Sequence, residues 1–168
     1  DAAAASPLSD ANTAYVLHFY AGSHGATLRS KAETALSKGV ALFISEWGTS
    51  VANGGSTGSP AVSDNKVWTA ESDTWLAWAK QNNLSWANWS IADKDESSAA
   101  LKPGASSSGG WNDGSISPAG LYVRGKIKDV FATLGASTNP SDTGSTKPPP
   151  VSVTDTLEAP GRIEAEMA

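Results

Sequence analysis

Side chains suited to chemistry follow three apolar runs of the sequence. They are His18 and Tyr20 after the first run, Glu46 and Trp47 after the second, and Trp89, Asp93, Lys94, Asp95 and Glu96 after the third. A carboxylate can act as a nucleophile, and a phenol within hydrogen-bond distance favours its charged form. The residue types therefore indicate nucleophilic or acid/base chemistry at a shared edge of the fold.

Glu46 is the strongest candidate for a reactive group. It follows the apolar run 40–44 and precedes Trp47 and Gly48. We expect the Trp47 indole to limit the solvation of the Glu46 carboxylate. The alternative is a structural salt bridge at the end of the strand.

The other candidates also have structural alternatives. His18 and Tyr20 could belong to a strand that packs its aromatic face inward, and we treat His24 as structural. Trp86 and Trp89 have opposite parity on one strand, so only one of them can face a cleft. Indole rings offer flat apolar surfaces on which sugar rings stack, although core packing is the ordinary role of many of the seven tryptophans.

Three successive units position these residues, each with an apolar run followed by a helical pattern. The predicted strands are 15–20, 40–44 and 84–91. The first helix covers 27–38 and stops at Gly39, whereas the second places Trp68, Trp75, Leu76 and Ala79 on one face. The third starts at Ser117 and Pro118, and its stripe comprises Val123, Ile127, Val130, Phe131 and Leu134. The nearly continuous run 40–44 predicts a strand covered on both faces.

Repeated strand and helix without a hairpin signal predict a parallel α/β sheet. An open doubly wound sheet and a closed barrel both fit, but no glycine fingerprint for phosphate follows a strand, which favours the barrel. A complete (β/α)₈ barrel takes about 250 residues, so a chain of 168 residues is expected to hold a partial one. The Pro/Ser/Thr-rich segment 136–156 predicts a disordered linker.

Composition bears on possible partners. The net charge is −5 and Lys and Arg form no cluster, which argues against nucleic acid and acidic membranes as partners. With no cysteine and two histidines, neither a disulfide framework nor a metal site is expected. We expect no cofactor.

Three segments carry a specific resemblance. Residues 15–21 (YVLHFYA), 43–50 (FISEWGTS) and 85–104 (SWANWSIADKDESSAALKPG) resemble glycoside hydrolase family 5 bacterial endoglucanases. Their order and spacing are similar to strands six, seven and eight of that family's (β/α)₈ TIM barrel. The resemblance covers 1–135, the C-terminal half of a catalytic barrel.

The resemblance implies a role for each candidate. Glu46 would be the nucleophile of a retaining endo-β-1,4-glucanase, Tyr20 would hold its carboxylate, and His18 would line the cleft. Trp89 would stack against a sugar ring. Lys94 and Glu96 would bind hydroxyls of sugars farther from the cut.

Retaining glycosidases need a second carboxyl group as acid/base. In the family this is a glutamate that follows an asparagine, and no Asn-Glu pair occurs in the chain. We therefore expect the acid/base upstream of Asp1, and this fragment to be inactive alone. Without the resemblance, Glu96 would be the alternative partner of Glu46.

The remaining expectations concern the context of the chain. Residues 157–168 resemble the start of a family 6 type carbohydrate-binding module. The resemblance implies a secreted, extracellular parent, monomeric, that acts on a β-glucan polysaccharide. The alternatives are a mannan- or xylan-cleaving member of the same family, a non-catalytic glycan-binding protein that uses Trp89, Lys94 and Glu96, and an open α/β domain that binds a nucleotide or small metabolite.

Overall fold

The computed structural model describes residues 2–10, 12–57 and 62–136. Its elements, in chain order, are α1 (Ala2–Ala5), β1 (Ala14–Tyr20), α2 (Ala26–Ser37), β2 (Ala41–Gly48), β3 (Ser56–Thr57), β4 (Val62–Ser63), α3 (Thr69–Gln81), β5 (Trp86–Asn88) and α4 (Pro118–Ala136). Strands β1, β2 and β5 form a parallel sheet in that order, and β3 pairs with β4 in a separate antiparallel ribbon. The parallel α/β expectation is confirmed.

The core lies between one face of this sheet and the helices. Phe19 from β1 and Trp47 from β2 are fully buried, as is Trp75 from α3. Phe19 stacks on Trp75 with ring centroids 4.2 Å apart, and its ring is 5.6 Å from that of Trp47. Ala32 of α2 and Ala79 of α3 complete the contact, because small side chains let the helices approach the aromatic layer.

The opposite face of the sheet is open in the described residues. Ile44 of β2 is fully buried, but Phe43 beside it is exposed and Val16 of β1 is 62% exposed. The expectation that β2 is covered on both faces is therefore wrong for the part of the chain that the structure describes. The continuous apolar run reports two apolar faces, of which one is packed here.

Helix α4 also buries only part of its apolar face. Ser117 caps its start, since the Gly120 amide donates to the Ser117 hydroxyl at 3.0 Å, as predicted. Val123 is buried, but Phe131 is 66% exposed, and Ile127 and Val130 are also exposed. The predicted stripe therefore packs only at its first position among the residues whose side chains are described, which exclude that of Leu134.

Element boundaries differ modestly from the prediction. The strand predicted at 40–44 continues to Gly48, and the one predicted at 84–91 is limited to Trp86–Asn88. Trp68 precedes α3 instead of lying on its face. Gly39, at φ +81°, ends the turn after α2 as expected.

The C-terminal predictions mostly fall beyond the described residues. Helix α4 includes Ala136, the first residue of the predicted linker. The rest of 136–156, and the possible module at 157–168, lie outside the described residues. Among the described residues, no helix has the length and apolar character needed to cross a membrane.

Candidate active site

A bulge in β2 aims Glu46 away from the core. Along β1, Val16 pairs with Phe43 and His18 with Glu46, so two residue steps on β1 match three on β2. On the other side, Ile44 pairs with Trp86 and Trp47 with Asn88, which repeats the mismatch. The extra residue lets Ile44 and Trp47 both reach the core, while Ser45 and Glu46 lie on the opposite side.

This geometry corrects one expectation about Glu46. Trp47 is fully buried and stacks against Phe19 on the helix-covered face, so its indole is not positioned to limit the solvation of the carboxylate. The Glu46 side chain is 24% exposed.

The principal contact of Glu46 is with Tyr20 at the end of β1. The Tyr20 hydroxyl donates to Glu46 Oε1 at 2.7 Å. Gly48 makes room for the phenol, because a Cβ there would lie 2.4 Å from the Tyr20 ring. Burial, then the hydrogen bond to Glu46 and the charges of Glu46 and Glu96, raise the pKa of Tyr20 well above 10.0. Tyr20 therefore remains a neutral donor.

His18 lies on the same side of the sheet as Glu46. Its Nδ1 is 3.9 Å from Glu46 Oε2, which is longer than a hydrogen bond, and its Nε2 is 2.8 Å from the Ser45 hydroxyl. The sequence does not predict a role for Ser45. A strict two-residue alternation would place it on the face opposite Glu46, and only the bulge brings both to His18.

His24 fixes the strand end that carries Tyr20. The Tyr20 amide donates to His24 Nδ1 at 2.8 Å, and the His24 amide donates to the Tyr20 carbonyl at 2.8 Å. The His24 carbonyl accepts from the Trp75 indole at 2.7 Å. These contacts link the candidate site to the aromatic core.

The end of β5 presents Trp89 next to β2. The Trp89 amide and the Asn88 side-chain amide both donate to the Trp47 carbonyl, at 2.8 and 2.9 Å. The Trp89–Ser90 peptide bond is cis. Trp89 is 41% exposed, whereas Trp86 packs edge-on against Trp47 with centroids 5.6 Å apart. Of these two indoles, Trp89 is thus the one more available to a ligand.

Glu96 and Lys94 lie in the loop that follows β5. Glu96 is partly buried, accepts a hydrogen bond from Ser98 Oγ at 2.7 Å, and contributes to the raised pKa of Tyr20. Lys94 has an exposed side chain, and its carbonyl accepts from the Glu96 amide at 2.9 Å. The structure thus brings Glu96 into the electrostatic environment of Tyr20 and leaves Lys94 at the rim.

These features define a parallel α/β fold with polar side chains at the carboxyl ends of adjacent strands, where (β/α)₈ barrels hold their active sites. The sequence profile described as Cellulase (glycosyl hydrolase family 5) matches residues 1–95. The chain belongs to this family.

Two curated relatives agree with the assignment. The chain is 48% identical over 140 residues to Endoglucanase A of Evansella cellulosilytica, which covers 83% of this chain and 26% of that protein. It is 47% identical over 139 residues to Endoglucanase N of Pectobacterium atrosepticum, which covers 83% of this chain and 29% of the relative. The chain therefore spans less than a third of the length of either relative.

Solved structures agree on the fold. Cellulase Cel5C_n matches with a TM-score of 0.64 and 49% identity, over 74% of this chain and 35% of that one. The alkaline cellulase K catalytic domain matches with a TM-score of 0.64 and 32% identity, over 76% and 40%. The fold is a partial (β/α)₈ barrel, as the sequence predicts.

Proposed function

We propose that the parent enzyme, meaning the polypeptide that combines this chain with the rest of the barrel, is a retaining endo-β-1,4-glucanase with Glu46 as nucleophile. The observation that carries this proposal is the 2.7 Å hydrogen bond from the Tyr20 hydroxyl to Glu46 Oε1. It holds one carboxylate oxygen in place and favours the charged form that a nucleophile requires. Both curated relatives described above are named endoglucanases.

The proposed reaction has two steps. Glu46 attacks the anomeric carbon of a glucosyl unit, the bond to the leaving oxygen breaks, and an acid outside this chain protonates that oxygen. Water then attacks the same carbon, gives its proton to the same outside group, and releases Glu46 as a carboxylate. The absence of an Asn-Glu pair is the reason we place the acid/base outside this chain.

Neighbouring residues would hold the substrate. Exposed Trp89, whose amide is bound to the Trp47 carbonyl of β2, offers a flat ring for stacking against a sugar. Glu96 and Lys94 would bind hydroxyls of units farther from the cut, and half-exposed His18 would line the cleft. We further propose that the parent enzyme is secreted, because a polysaccharide is too large to enter a cell. We also propose that the parent acts as a monomer.

Replacement of Glu46 tests the proposal. In the parent enzyme, Glu46→Gln keeps the shape of the side chain but removes its nucleophilic charge, so kcat on soluble cellulose should fall at least about 10³-fold. Glu33→Gln is the matched control, because Glu33 on α2 accepts the Trp78 indole at 3.1 Å and a glutamine oxygen can do the same. Full activity of Glu46→Gln would contradict the role of Glu46 as nucleophile. No hydrolysis by the wild-type parent, with sugar binding that Glu46→Gln leaves intact, would instead support a non-catalytic glycan-binding protein.

A further inference from the structure

The loop after β2 and the loop after β5 are joined by a set of contacts next to Glu96. The Ser97 amide donates to the Gly54 carbonyl at 2.7 Å, and the Ser97 hydroxyl donates to Asp64 Oδ1. The Asp64 amide donates to the Gly55 carbonyl at 2.9 Å. We call Gly54, Gly55, Asp64 and Ser97 the loop clasp.

The two glycines of the loop clasp are required by both conformation and space. Gly54 and Gly55 have φ angles of +78° and +73°, a region that residues with a Cβ rarely adopt. A Cβ at Gly54 would lie 2.5 Å from Glu96 Cγ, and one at Gly55 would lie 2.5 Å from the Ser97 hydroxyl. The first loop therefore lies directly against the Glu96 side chain.

Asp64 holds the other end of the loop clasp. Besides the Ser97 hydroxyl, its Oδ1 accepts the Lys66 amide at 2.9 Å. These hydrogen bonds, that from Ser97 first, lower the pKa of Asp64, so the carboxylate is charged at neutral pH. One oxygen thus links residues on both sides of the junction between the loops.

We propose that the loop clasp positions the Glu96 carboxylate for a sugar hydroxyl and thereby sets the affinity of the cleft for its polysaccharide. This inference rests on the proposed function. The backbone of Gly54 closes one side of Glu96, and Ser98 holds its Oε1 at 2.7 Å. Loss of the clasp contacts would leave Glu96 itself unchanged but would free its carboxylate to move away from the substrate.

The test uses the parent enzyme and a soluble β-1,4-linked glucose pentamer. Asp64→Ala removes both acceptor contacts, so KM should rise about three- to tenfold with kcat little changed. Asp64→Asn should restore KM, because its carboxamide oxygen can accept the same two hydrogen bonds. Ser97→Ala deletes only the hydroxyl and should raise KM in the same way. It provides the test if Asp64→Ala does not fold.

A double variant separates positioning from general damage. If the clasp acts through Glu96, Asp64→Ala should add nothing to the KM of Glu96→Ala. Asp113→Ala is the matched control, because Asp113 lies on another exposed loop and pairs with Arg124 at 2.8 Å. The KM of this variant should equal that of the wild type.

The outcomes distinguish the two proposals. An unchanged KM in Asp64→Ala and Ser97→Ala, or effects on KM that add to that of Glu96→Ala, would overturn the role of the loop clasp. The proposed function would still stand in that case, provided that hydrolysis depends on Glu46. Hydrolysis that is unaffected by Glu46→Gln would overturn the proposed function and the clasp together.

Discussion

At the scale of single residues, the pKa of Tyr20 follows from its position beside Glu46. Its pKa is raised mainly by burial and by its hydrogen bond to Glu46, so the folded protein favours the neutral phenol. The stabilising effect of this contact is complete below the ordinary tyrosine pKa of 10.0. It is lost only as the pH rises through the higher pKa of the folded state.

Tyr20→Phe in the parent enzyme keeps the ring and removes the donor. We expect kcat to fall roughly ten- to hundredfold, the usual cost of losing a hydrogen bond to a charged group. Because Tyr20 stays neutral, the alkaline limb of the pH–rate profile should be the same in Tyr20→Phe and wild type up to about pH 10.

Profiles of kcat/KM against pH provide this measurement. Tyr122→Phe is the control, since its phenol donates to Asp73 at 2.6 Å between α3 and α4. An alkaline limb that moves when Tyr20 is replaced would show that Tyr20 ionises in the working range and would contradict this account.

At the scale of elements, the sequence predicts β1, β2, β5 and the helices α2, α3 and α4. It predicts neither α1, nor the antiparallel β3–β4 ribbon, nor the bulge. The helix patterns and the Ser117 cap are local, so they can be recognised without the rest of the fold. The strand predicted at 40–44 ends before Ser45 because polar residues break the apolar run. The bulge that places Ser45 and Glu46 on one side depends on pairing with β1 and β5, which no local pattern contains.

The residues of the candidate site can likewise be predicted only where a local pattern or a family motif marks them. Glu46, Tyr20 and Trp89 could be proposed because each follows an apolar run or belongs to a family motif. The prediction that the Trp47 indole limits the solvation of Glu46 is wrong, because the bulge sends these two adjacent side chains to opposite faces of the sheet. The exposed stripe of α4 could not be foreseen either, since periodicity shows which face is apolar and not what covers it.

Helices α3 and α4 are joined through Asp73. It accepts from the Tyr122 hydroxyl at 2.6 Å and pairs with Lys126 at 2.7 Å. Lys126 first and Tyr122 second lower the pKa of Asp73 below 3.8. Its contribution to stability is therefore present above that pH and is lost as the pH falls through the lowered value.

Asp73→Asn tests this link. Since the Asp73 side chain is 51% exposed, solvent screens the pair and the loss of unfolding free energy at neutral pH should be under about 1 kcal/mol. Unfolding of the parent enzyme followed against pH should show the difference shrinking toward zero in strong acid. Asp129→Asn on α4 is the control, and a difference that grows in acid would contradict the assignment.

At the scale of the whole molecule, the described residues leave two apolar regions uncovered. Val16 and Phe43 lie on the open face of the sheet. A cavity of about 730 Å³ between β5 and α4 includes Ile91, Trp111 and Phe131 among its lining residues. The chain spans 35% of the cellulase Cel5C_n structure, so we propose that the remainder of the barrel covers these regions.

The isolated chain should therefore behave differently from the parent. We expect it to bind a dye that reports apolar surface, to self-associate, and to release no reducing ends from soluble cellulose. Dye fluorescence, light scattering and a reducing-end assay on both proteins are the measurements. Turnover by the isolated chain would show that the acid/base is present in it and would contradict the proposed division of the site.

The most direct test of the account is to trap the covalent intermediate on Glu46. A 2-deoxy-2-fluoro β-glucoside oligomer with a good leaving group slows both chemical steps but releases its leaving group readily, so the glycosyl-enzyme should accumulate. Mass spectrometry of the digested parent enzyme should find one added glycosyl group, on the peptide that contains Glu46. A label on any other residue, or hydrolysis with inversion and no label, would contradict the claim that Glu46 is the nucleophile.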